Sequence, residues 1–127
     1  MTYQILMIED DEQICEVVKD YFTRESENEI VVRTAQNGQD GLDLVLLDIM
    51  LPGMDGFAIC REMRRTSMVP ILFLTARISE RDILLGYDLG CDDYIIKPFS
   101  LVTLYAKCKA LIRRSKDLSR TGVAGYI

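Results

Sequence analysis

The segment "LVLLDIMLPGMDG", residues 44–56, places a single charge at the end of an apolar run. Apolar residues lead directly into one carboxylate, Asp48, and a turn rich in proline and glycine follows. Burying an ionised carboxylate beside such a run is costly unless another group compensates the charge. The segment therefore predicts a buried strand that ends in a functional acid, with a countercharge close by.

The composition is that of one soluble globular domain. Of the 127 residues, 49% are hydrophobic and 28% are charged, and this length suffices for a single buried core. No apolar run approaches membrane-spanning length, and the start "MTYQILMIEDD" turns acidic where a signal peptide stays apolar. The net charge of −5 argues against nucleic-acid binding by this chain alone, because phosphate repels an acidic surface. We therefore expect a cytoplasmic protein that does not bind membranes.

The cysteines and the absence of histidine restrict the possible chemistry. The four cysteines form no C-x-x-C pair, which favours buried thiols in a reducing compartment over a disulfide or a zinc site. They are Cys15, Cys60, Cys91 and Cys108. The sequence contains no histidine, which removes the commonest general base and most transition-metal sites. Any chemistry must use carboxylates, hydroxyls and lysine.

Short apolar runs alternate with helical patterns along the chain. The runs are "YQILMI", "EIVVRTA", "DLVLLDI", "VPILFLTA" and "DDYIIKPF". Strands that are apolar on both faces and alternate with helices indicate a parallel sheet covered on both sides. Asp11 is expected to cap the first helix, and a later helix is expected to open with Ser79 and Asp82 and to close on Gly90.

The connection between the second and third strands is unusually short. Only "AQNGQDGLD" separates Thr34 from Leu44, whereas a parallel crossover including its helix needs about 10 to 12 residues or more. Either the second helix is stunted, or residues are missing from the sequence near Leu42 and Asp43. We favour missing residues.

Polar side chains end the apolar runs at one edge of the predicted sheet. The first run ends in an acidic cluster, the third in an acid, the fourth in a hydroxyl and the fifth in an ammonium. These residues are Glu9, Asp10, Asp11, Asp48, Thr75 and Lys97. Because ligands bind beyond the carboxyl ends of parallel strands, we expect these groups to share one crevice. Taken singly, most of them are better explained as caps, turns or surface charge, and the interpretation as a site depends on their combination.

A cation and a phosphoryl group would suit this cluster. One lysine cannot neutralise several carboxylates, and oxygen ligands without imidazole or a nearby thiolate favour Mg²⁺ over zinc. The Asp48 carboxylate can act as a nucleophile toward phosphorus, forming an aspartyl phosphate. The metal and Lys97 would stabilise the charge on the phosphoryl oxygens.

With these residues identified, the sequence closely resembles the receiver domain of bacterial two-component response regulators, from about Ile5 to Arg114. The segments that carry the resemblance are "ILMIEDDEQI", "LVLLDIMLPGMDG", "PILFLTA" and "GCDDYIIKPF". The resemblance implies an α/β, flavodoxin-like (CheY-like) fold. Its doubly wound, five-stranded parallel sheet would have strand order 2-1-3-4-5 with five helices, the second short or missing. Residues 1–116 would form the receiver domain, and residues 117–127 would begin a linker toward an effector domain.

The resemblance also implies a role for each site residue. Asp48 would accept the phosphoryl group from a histidine on a sensor kinase. Asp10 would bind Mg²⁺ directly, Glu9 mostly through water, and Asp48 and the Met50 backbone carbonyl would complete the protein ligands. The only catalysis expected is of the protein's own phosphorylation and slow dephosphorylation.

The same resemblance implies a conformational switch. Thr75 would hydrogen-bond the phosphoryl group and Lys97 would pair with it, with Lys97-Pro98 as a cis peptide bond. Tyr94 would swing inward as Thr75 moves, which changes the face built from the fourth helix, the fifth strand and the fifth helix.

The segments "GCDDYIIKPF" and "ALIRRS" most resemble the winged-helix transcription-factor subfamily (OmpR/PhoB type). This implies a homodimer on phosphorylation, and DNA binding only through a C-terminal effector domain outside this chain. The residues expected on the dimer face are Asp92, Asp93, Lys107 and Arg113. The subfamily usually has a basic residue at the position of Ile83 and an acid at that of Thr103, so one intermolecular ion pair is missing here.

Three other functions remain as alternatives. A phosphohydrolase of the haloacid dehalogenase type would need a second acid two residues after the nucleophile, where Met50 stands. A degenerate receiver that binds partners constitutively would usually have lost Asp48, Lys97 or the acid pair. A flavin-binding module would need a Ser/Thr/Gly phosphate loop where this chain has "EDDEQ".

Overall fold

The computed structural model describes residues 2–34, 41–76 and 79–121, and the side chains among them as far as residue 117. Within these ranges it has seven strands and four helices. They are β1 (Tyr3–Ile8), α1 (Glu12–Glu25), β2 (Ile30–Thr34), β3 (Leu44–Asp48), β4 (Met50–Leu51), β5 (Met54–Asp55), α2 (Gly56–Arg64), β6 (Ile71–Thr75), α3 (Glu80–Leu89), β7 (Asp93–Ile96) and α4 (Leu101–Thr121).

Five of the strands form one parallel sheet in the order β2-β1-β3-β6-β7. Counted along the chain within this sheet, the order is 2-1-3-4-5, so the predicted doubly wound, flavodoxin-like fold is confirmed. The short strands β4 and β5 form an antiparallel hairpin directly after β3. The end of β3 therefore lies at the centre of the sheet, beside the point where the strand order reverses.

The two faces of the sheet bury separate apolar clusters. Side chains alternate along β3, so that Leu44 and Leu46 pack with α1 and α4, whereas Val45 and Leu47 pack with α2. Every residue of β3 and β6 is buried, because both strands have neighbours on each side and helices above and below. This is why the two strands read as continuous apolar runs rather than as alternating ones.

The helix ends use the predicted caps. The Asp11 carboxylate accepts hydrogen bonds from the amides of Gln13 and Ile14 at the start of α1. The Ser79 hydroxyl accepts one from the Asp82 amide at 3.0 Å. Gly90 ends α3 with φ of 106°, a left-handed conformation that favours glycine.

The last helix is longer than its apolar pattern predicts. The segment expected to begin a linker, residues 117–127, is helical as far as Thr121. No glycine or proline interrupts residues 116–121, and Gly122 is the first residue of low helix propensity. The Lys116 ammonium also lies 2.5 Å from Asp43 Oδ1, which holds this part of the helix against the start of β3.

The short connection before β3 is described only at its end. Residues 41–43 are not helical, and the Asp43 carboxylate and amide each hydrogen-bond the backbone of Gln4 at 2.8 Å. Residues 35–40, where the short or missing second helix was expected, lie outside the described residues.

All four cysteines are free and buried, as expected for thiols in a core. Burial raises the pKa of each thiol, to about 12 for Cys91. In the described part of the chain, no helix is both long enough and apolar enough to cross a membrane.

Candidate functional site

The candidate site lies at the carboxyl edge of the parallel sheet, around Asp48. This residue ends β3 between β1 and β6, and only 4% of it is exposed. The Asp48 Oδ1 atom accepts a hydrogen bond from the Met50 amide at 2.9 Å. The turn after β3 thus fixes one carboxylate oxygen, and the other, Oδ2, faces Lys97.

Lys97 supplies the predicted countercharge. Its Nζ atom donates a hydrogen bond to Asp48 Oδ2 at 2.9 Å and lies 2.7 Å from Glu9 Oε1. The Glu9 side chain is fully buried and that of Lys97 is 20% exposed. One ammonium is therefore shared by two buried carboxylates, which leaves this group of three side chains with a net charge of −1.

The pKa values of Glu9 and Lys97 are both raised, for different reasons. Burial raises the pKa of the Glu9 carboxyl, and the Asp48 charge adds to the rise, although Lys97 and the Asp11 amide oppose it. Burial alone would lower the pKa of Lys97, but its contacts with Glu9 and Asp48 more than offset this and raise it. Lys97 is therefore charged at neutral pH.

The three acids Glu9, Asp10 and Asp11 lie in different environments. Asp11 caps α1. Glu9 points into the crevice, where its Oε2 atom accepts a hydrogen bond from the Asp11 amide at 3.0 Å. Asp10 between them is exposed.

The site residues fit a hard divalent cation. Oxygen atoms of Glu9, Asp10 and Asp48 all lie within 4.8 Å of one another. Glu9 Oε1 is buried, and its partner among the described residues is the Lys97 ammonium at 2.7 Å. A buried carboxylate beside two further carboxylates, with one shared ammonium as its countercharge, suits a hard cation such as Mg²⁺.

Thr75 and Lys97 are coupled through the backbone. Thr75 ends β6 and is fully buried, and its carbonyl accepts a hydrogen bond from the Lys97 amide at 2.8 Å. The peptide bond between Lys97 and Pro98 is cis. A displacement of Thr75 would therefore be transmitted to the segment that carries the lysine.

Tyr94 lies away from the carboxylates, beneath α3. Its hydroxyl donates a hydrogen bond to the Asp82 carbonyl at 2.5 Å. Its ring meets those of Phe73 and Tyr87 edge to face, with centroids 5.4 Å and 5.6 Å apart. Burial raises the pKa of the Tyr94 phenol, so the hydroxyl stays protonated.

The residues predicted for a dimer face lie at the start of β7 and on α4. Lys107 pairs with Asp93 at 2.9 Å within the chain, and Arg113 is exposed on α4. Asp92 is engaged within the chain although its side chain is 40% exposed: its Oδ2 atom accepts hydrogen bonds from Arg64 at 3.0 Å and from the Ile71 amide at 2.8 Å.

Sequence reasoning missed two residues, Arg64 and Gly86. Arg64 also donates hydrogen bonds to the carbonyls of Gly90 at 2.9 Å and Val69 at 2.7 Å, and nothing in the local pattern distinguishes it from the neighbouring Arg65. Gly86 lies buried in the interior of α3, against Tyr94. A glycine inside a helical pattern was the available signal.

Comparison with known proteins identifies the fold and the relatives. A family model for the response regulator receiver domain matches residues 5–109. The chain is 46% identical over 118 residues to the uncharacterized transcriptional regulatory protein YclJ of Bacillus subtilis, covering 89% of this chain and 52% of that protein. It is 41% identical over 120 residues to the transcriptional regulatory protein BaeR of Escherichia coli, covering 91% of this chain and 50% of that protein.

Solved structures agree with this assignment. A two-component response regulator from Clostridium difficile has a TM-score of 0.80 and 34% identity, with 90% of this chain and 98% of that chain covered. DrrB, an OmpR/PhoB homolog of Thermotoga maritima, has a TM-score of 0.78 and 29% identity, with 91% and 54% covered. This chain spans about half the length of the curated relatives it matches.

Proposed function

Since this chain belongs to the response regulator receiver domain family, we propose that it is a phosphorylation-dependent switch whose phosphoacceptor is Asp48. A carboxylate oxygen of Asp48 would attack the phosphorus of a phosphohistidine on a sensor kinase. The new P–O bond forms as the P–N bond breaks, and the histidine leaves with its electron pair. The single observation that carries this assignment is the buried Asp48 carboxylate, fixed by the Met50 amide and paired with Lys97.

Mg²⁺, when bound, would neutralise charge on the phosphoryl oxygens. Glu9, Asp10 and Asp48 would hold it, with the Met50 backbone carbonyl as the fourth ligand from the protein. The close approach of the three carboxylates supports this. Without a cation, an incoming phosphoryl group would meet a cluster whose net charge is already negative.

Lys97 and Thr75 would respond to the phosphoryl group. Lys97 now divides its charge between Glu9 and Asp48, and it would pair with the phosphoryl oxygens once these carry the larger negative charge. Thr75 would hydrogen-bond the phosphoryl group. Because the Lys97 amide is bonded to the Thr75 carbonyl, both movements would act on the start of α4 and on β7.

The output would be a change of the face formed by α3, β7 and α4, which we call the α3–β7–α4 face. It carries the exposed apolar side chains of Leu84, Ile96 and Val102 together with the Asp93–Lys107 ion pair. Two copies would associate through it after phosphorylation, with Arg113 at its rim. Asp92 would contribute less than the sequence predicts, because Arg64 already holds it.

In the full-length protein, this association would control a DNA-binding effector domain. The proposal is supported by the names of the relatives as transcriptional regulatory proteins and by the half of their length that this chain does not span. The cognate sensor histidine kinase would be the donor, and the protein would catalyse only its own phosphorylation and slow dephosphorylation.

Size-exclusion chromatography with light scattering tests the switch. The wild type and Asp48→Asn would be compared before and after incubation with acetyl phosphate and Mg²⁺. We expect a shift from monomer toward dimer in the treated wild type alone. A treated wild type that is fully phosphorylated and remains monomeric at high concentration would refute dimerisation as the output.

A further inference from the structure

Gly86 occupies a position where an ordinary helix would carry a side chain. It lies in the interior of α3, and it is the only buried residue of that helix. Glycine is the least favourable helix residue after proline, because its backbone loses the most freedom on folding. A reason for its presence must therefore come from what packs against it.

The phenol of Tyr94 fills the space that a side chain at position 86 would need. A Cβ atom built on Gly86 would overlap the Tyr94 hydroxyl oxygen and lie 2.8 Å from Tyr94 Cζ. It would also lie 3.0 Å from Phe73 Cε2. The absence of a side chain on Gly86 thus leaves the space that the Tyr94 phenol occupies.

The hydrogen bond of Tyr94 explains why the phenol comes so close to the helix. Its hydroxyl donates to the Asp82 carbonyl, and in an α-helix the carbonyl of residue 82 points toward the amide of residue 86. A side chain on residue 86 would stand beside that carbonyl. Here a Cβ atom would occupy the position from which the Tyr94 hydroxyl reaches the carbonyl, and glycine leaves that position open.

The ring is also held from the sides. Tyr87 of α3 and Phe73 of β6 both contact it edge to face, an arrangement that favours a defined ring position. Phe73 lies two residues before Thr75 on the same strand. The place that the phenol occupies therefore connects α3 with the strand that ends at the phosphorylation site.

We propose that Gly86 is the positioning residue for the switch: it admits the Tyr94 phenol to the α3 backbone and so defines the inward position through which phosphorylation acts on the α3–β7–α4 face. The signalling half of this proposal rests on the proposed function. The placement of the phenol rests only on the contacts of Gly86, Tyr94 and Asp82.

A methyl group at position 86 should displace the phenol rather than break the fold. Alanine favours the helix more than glycine does. The clashing atoms belong to the far end of a side chain that can rotate about its χ1 bond. We expect Gly86→Ala to fold with Tyr94 turned away from Asp82 and toward solvent.

Fluorine NMR tests the placement directly. The six tyrosines would be labelled with 3-fluorotyrosine, and Tyr94→Phe would identify the Tyr94 resonance. In Gly86→Ala that resonance should move, and its H₂O/D₂O solvent isotope shift should rise to that of an exposed tyrosine. In the control Asp88→Ala, an exposed position of the same helix, it should stay in place. An unmoved Tyr94 resonance in Gly86→Ala would overturn the proposal.

Thermal unfolding of Gly86→Ala in two backgrounds, wild type and Tyr94→Ala, separates steric exclusion of the phenol from a general effect on the helix. In the wild type, Gly86→Ala should lower the midpoint of thermal unfolding because the phenol loses its place. In a Tyr94→Ala background, where no phenol is present, the same change should raise it through helix propensity. An effect of the same sign and size in both backgrounds would show that Gly86 does not act through Tyr94.

Light scattering after acetyl phosphate treatment tests the signalling half. Phosphorylated Gly86→Ala should fail to dimerise at concentrations where phosphorylated wild type does. Dimerisation of both, with Tyr94 displaced in the variant, would overturn the signalling half and leave the placement intact. A wild type that takes up no phosphoryl group would instead contradict the proposed function, and the fluorine measurement would still decide the role of Gly86.

Discussion

The Lys97 ammonium lies 2.7 Å from Glu9, directly after β1, and 2.9 Å from Asp48, at the end of β3. This contact answers why an acid can end so apolar a strand as β3. The charge of Asp48 is compensated, but only in part, because Glu9 shares the same ammonium. Because one ammonium faces two carboxylates, the site keeps a negative charge that one further cation would neutralise.

Removing the Lys97 charge should destabilise the protein when Mg²⁺ is absent. Lys97→Met leaves two buried carboxylates facing each other, and breaking a buried ion pair costs about 3–5 kcal/mol, reduced here to about 2 kcal/mol because Lys97 is partly exposed. Urea unfolding with and without Mg²⁺ measures this, and Mg²⁺ should restore part of the loss. Lys19→Met, at an exposed position of α1, is the control. Equal losses for the two variants would contradict the role of Lys97.

Mg²⁺ should stabilise the folded protein, and Asp10 should carry much of the effect. At a free concentration ten times Kd, a ligand that binds only the folded state adds about 1.4 kcal/mol to the free energy of unfolding. Asp10 is exposed, so Asp10→Asn should leave the metal-free stability nearly unchanged while reducing the gain with Mg²⁺. Thermal unfolding across a Mg²⁺ titration checks this, with Asp20→Asn as the control. A full gain in Asp10→Asn would exclude Asp10 as a ligand.

Arg64 should matter far more for stability than its neighbour Arg65. Arg64 is 14% exposed and donates hydrogen bonds to backbone carbonyls and to Asp92, so Arg64→Gln should cost about 2–3 kcal/mol through the groups left unpaired. Arg65 is 71% exposed and lies 3.5 Å from Glu62, so Arg65→Gln should change the free energy of unfolding by about 0.5 kcal/mol or less. Urea denaturation of both variants decides between this and an equal loss, which would contradict the structural role of Arg64.

The cysteines should be unreactive in the folded state. Burial raises the pKa of every thiol, and both inaccessibility and a low thiolate fraction slow attack on a disulfide reagent. With Ellman's reagent at pH 8, we expect little reaction of the native protein within minutes and four thiols per chain after unfolding in guanidinium. Fast reaction of one native thiol would contradict the packing around it.

Much of the fold could be predicted because its strands and helix ends depend on local sequence patterns. The apolar runs of β3 and β6 indicate central strands, and Asp11, Ser79 and Gly90 mark helix ends through their own backbone chemistry. The convergence of Glu9, Asp48 and Lys97 follows from one topological rule, that parallel strands present their carboxyl ends at the same edge.

The remaining features depend on contacts between residues far apart in the chain. Asp92 is an exposed acid, as the sequence suggests, but Arg64 from α2 pairs with its carboxylate and holds it in place. The absence of a side chain at Gly86 is explained only by Tyr94, which β7 places beneath α3. The contact of Lys116 in α4 with Asp43 before β3 is also of this kind. Contacts of this kind cannot be predicted from the periodicity of the sequence.

The central claim, that Asp48 accepts a phosphoryl group with the help of Mg²⁺, is tested most directly by intact-protein mass spectrometry. Wild type and Asp48→Asn would be incubated with acetyl phosphate, each with Mg²⁺ and with EDTA. The account predicts a mass gain of one phosphoryl group in the wild type with Mg²⁺, and no gain in the other three samples. An equal gain in Asp48→Asn, or no gain in any sample even with a sensor kinase as donor, would contradict it.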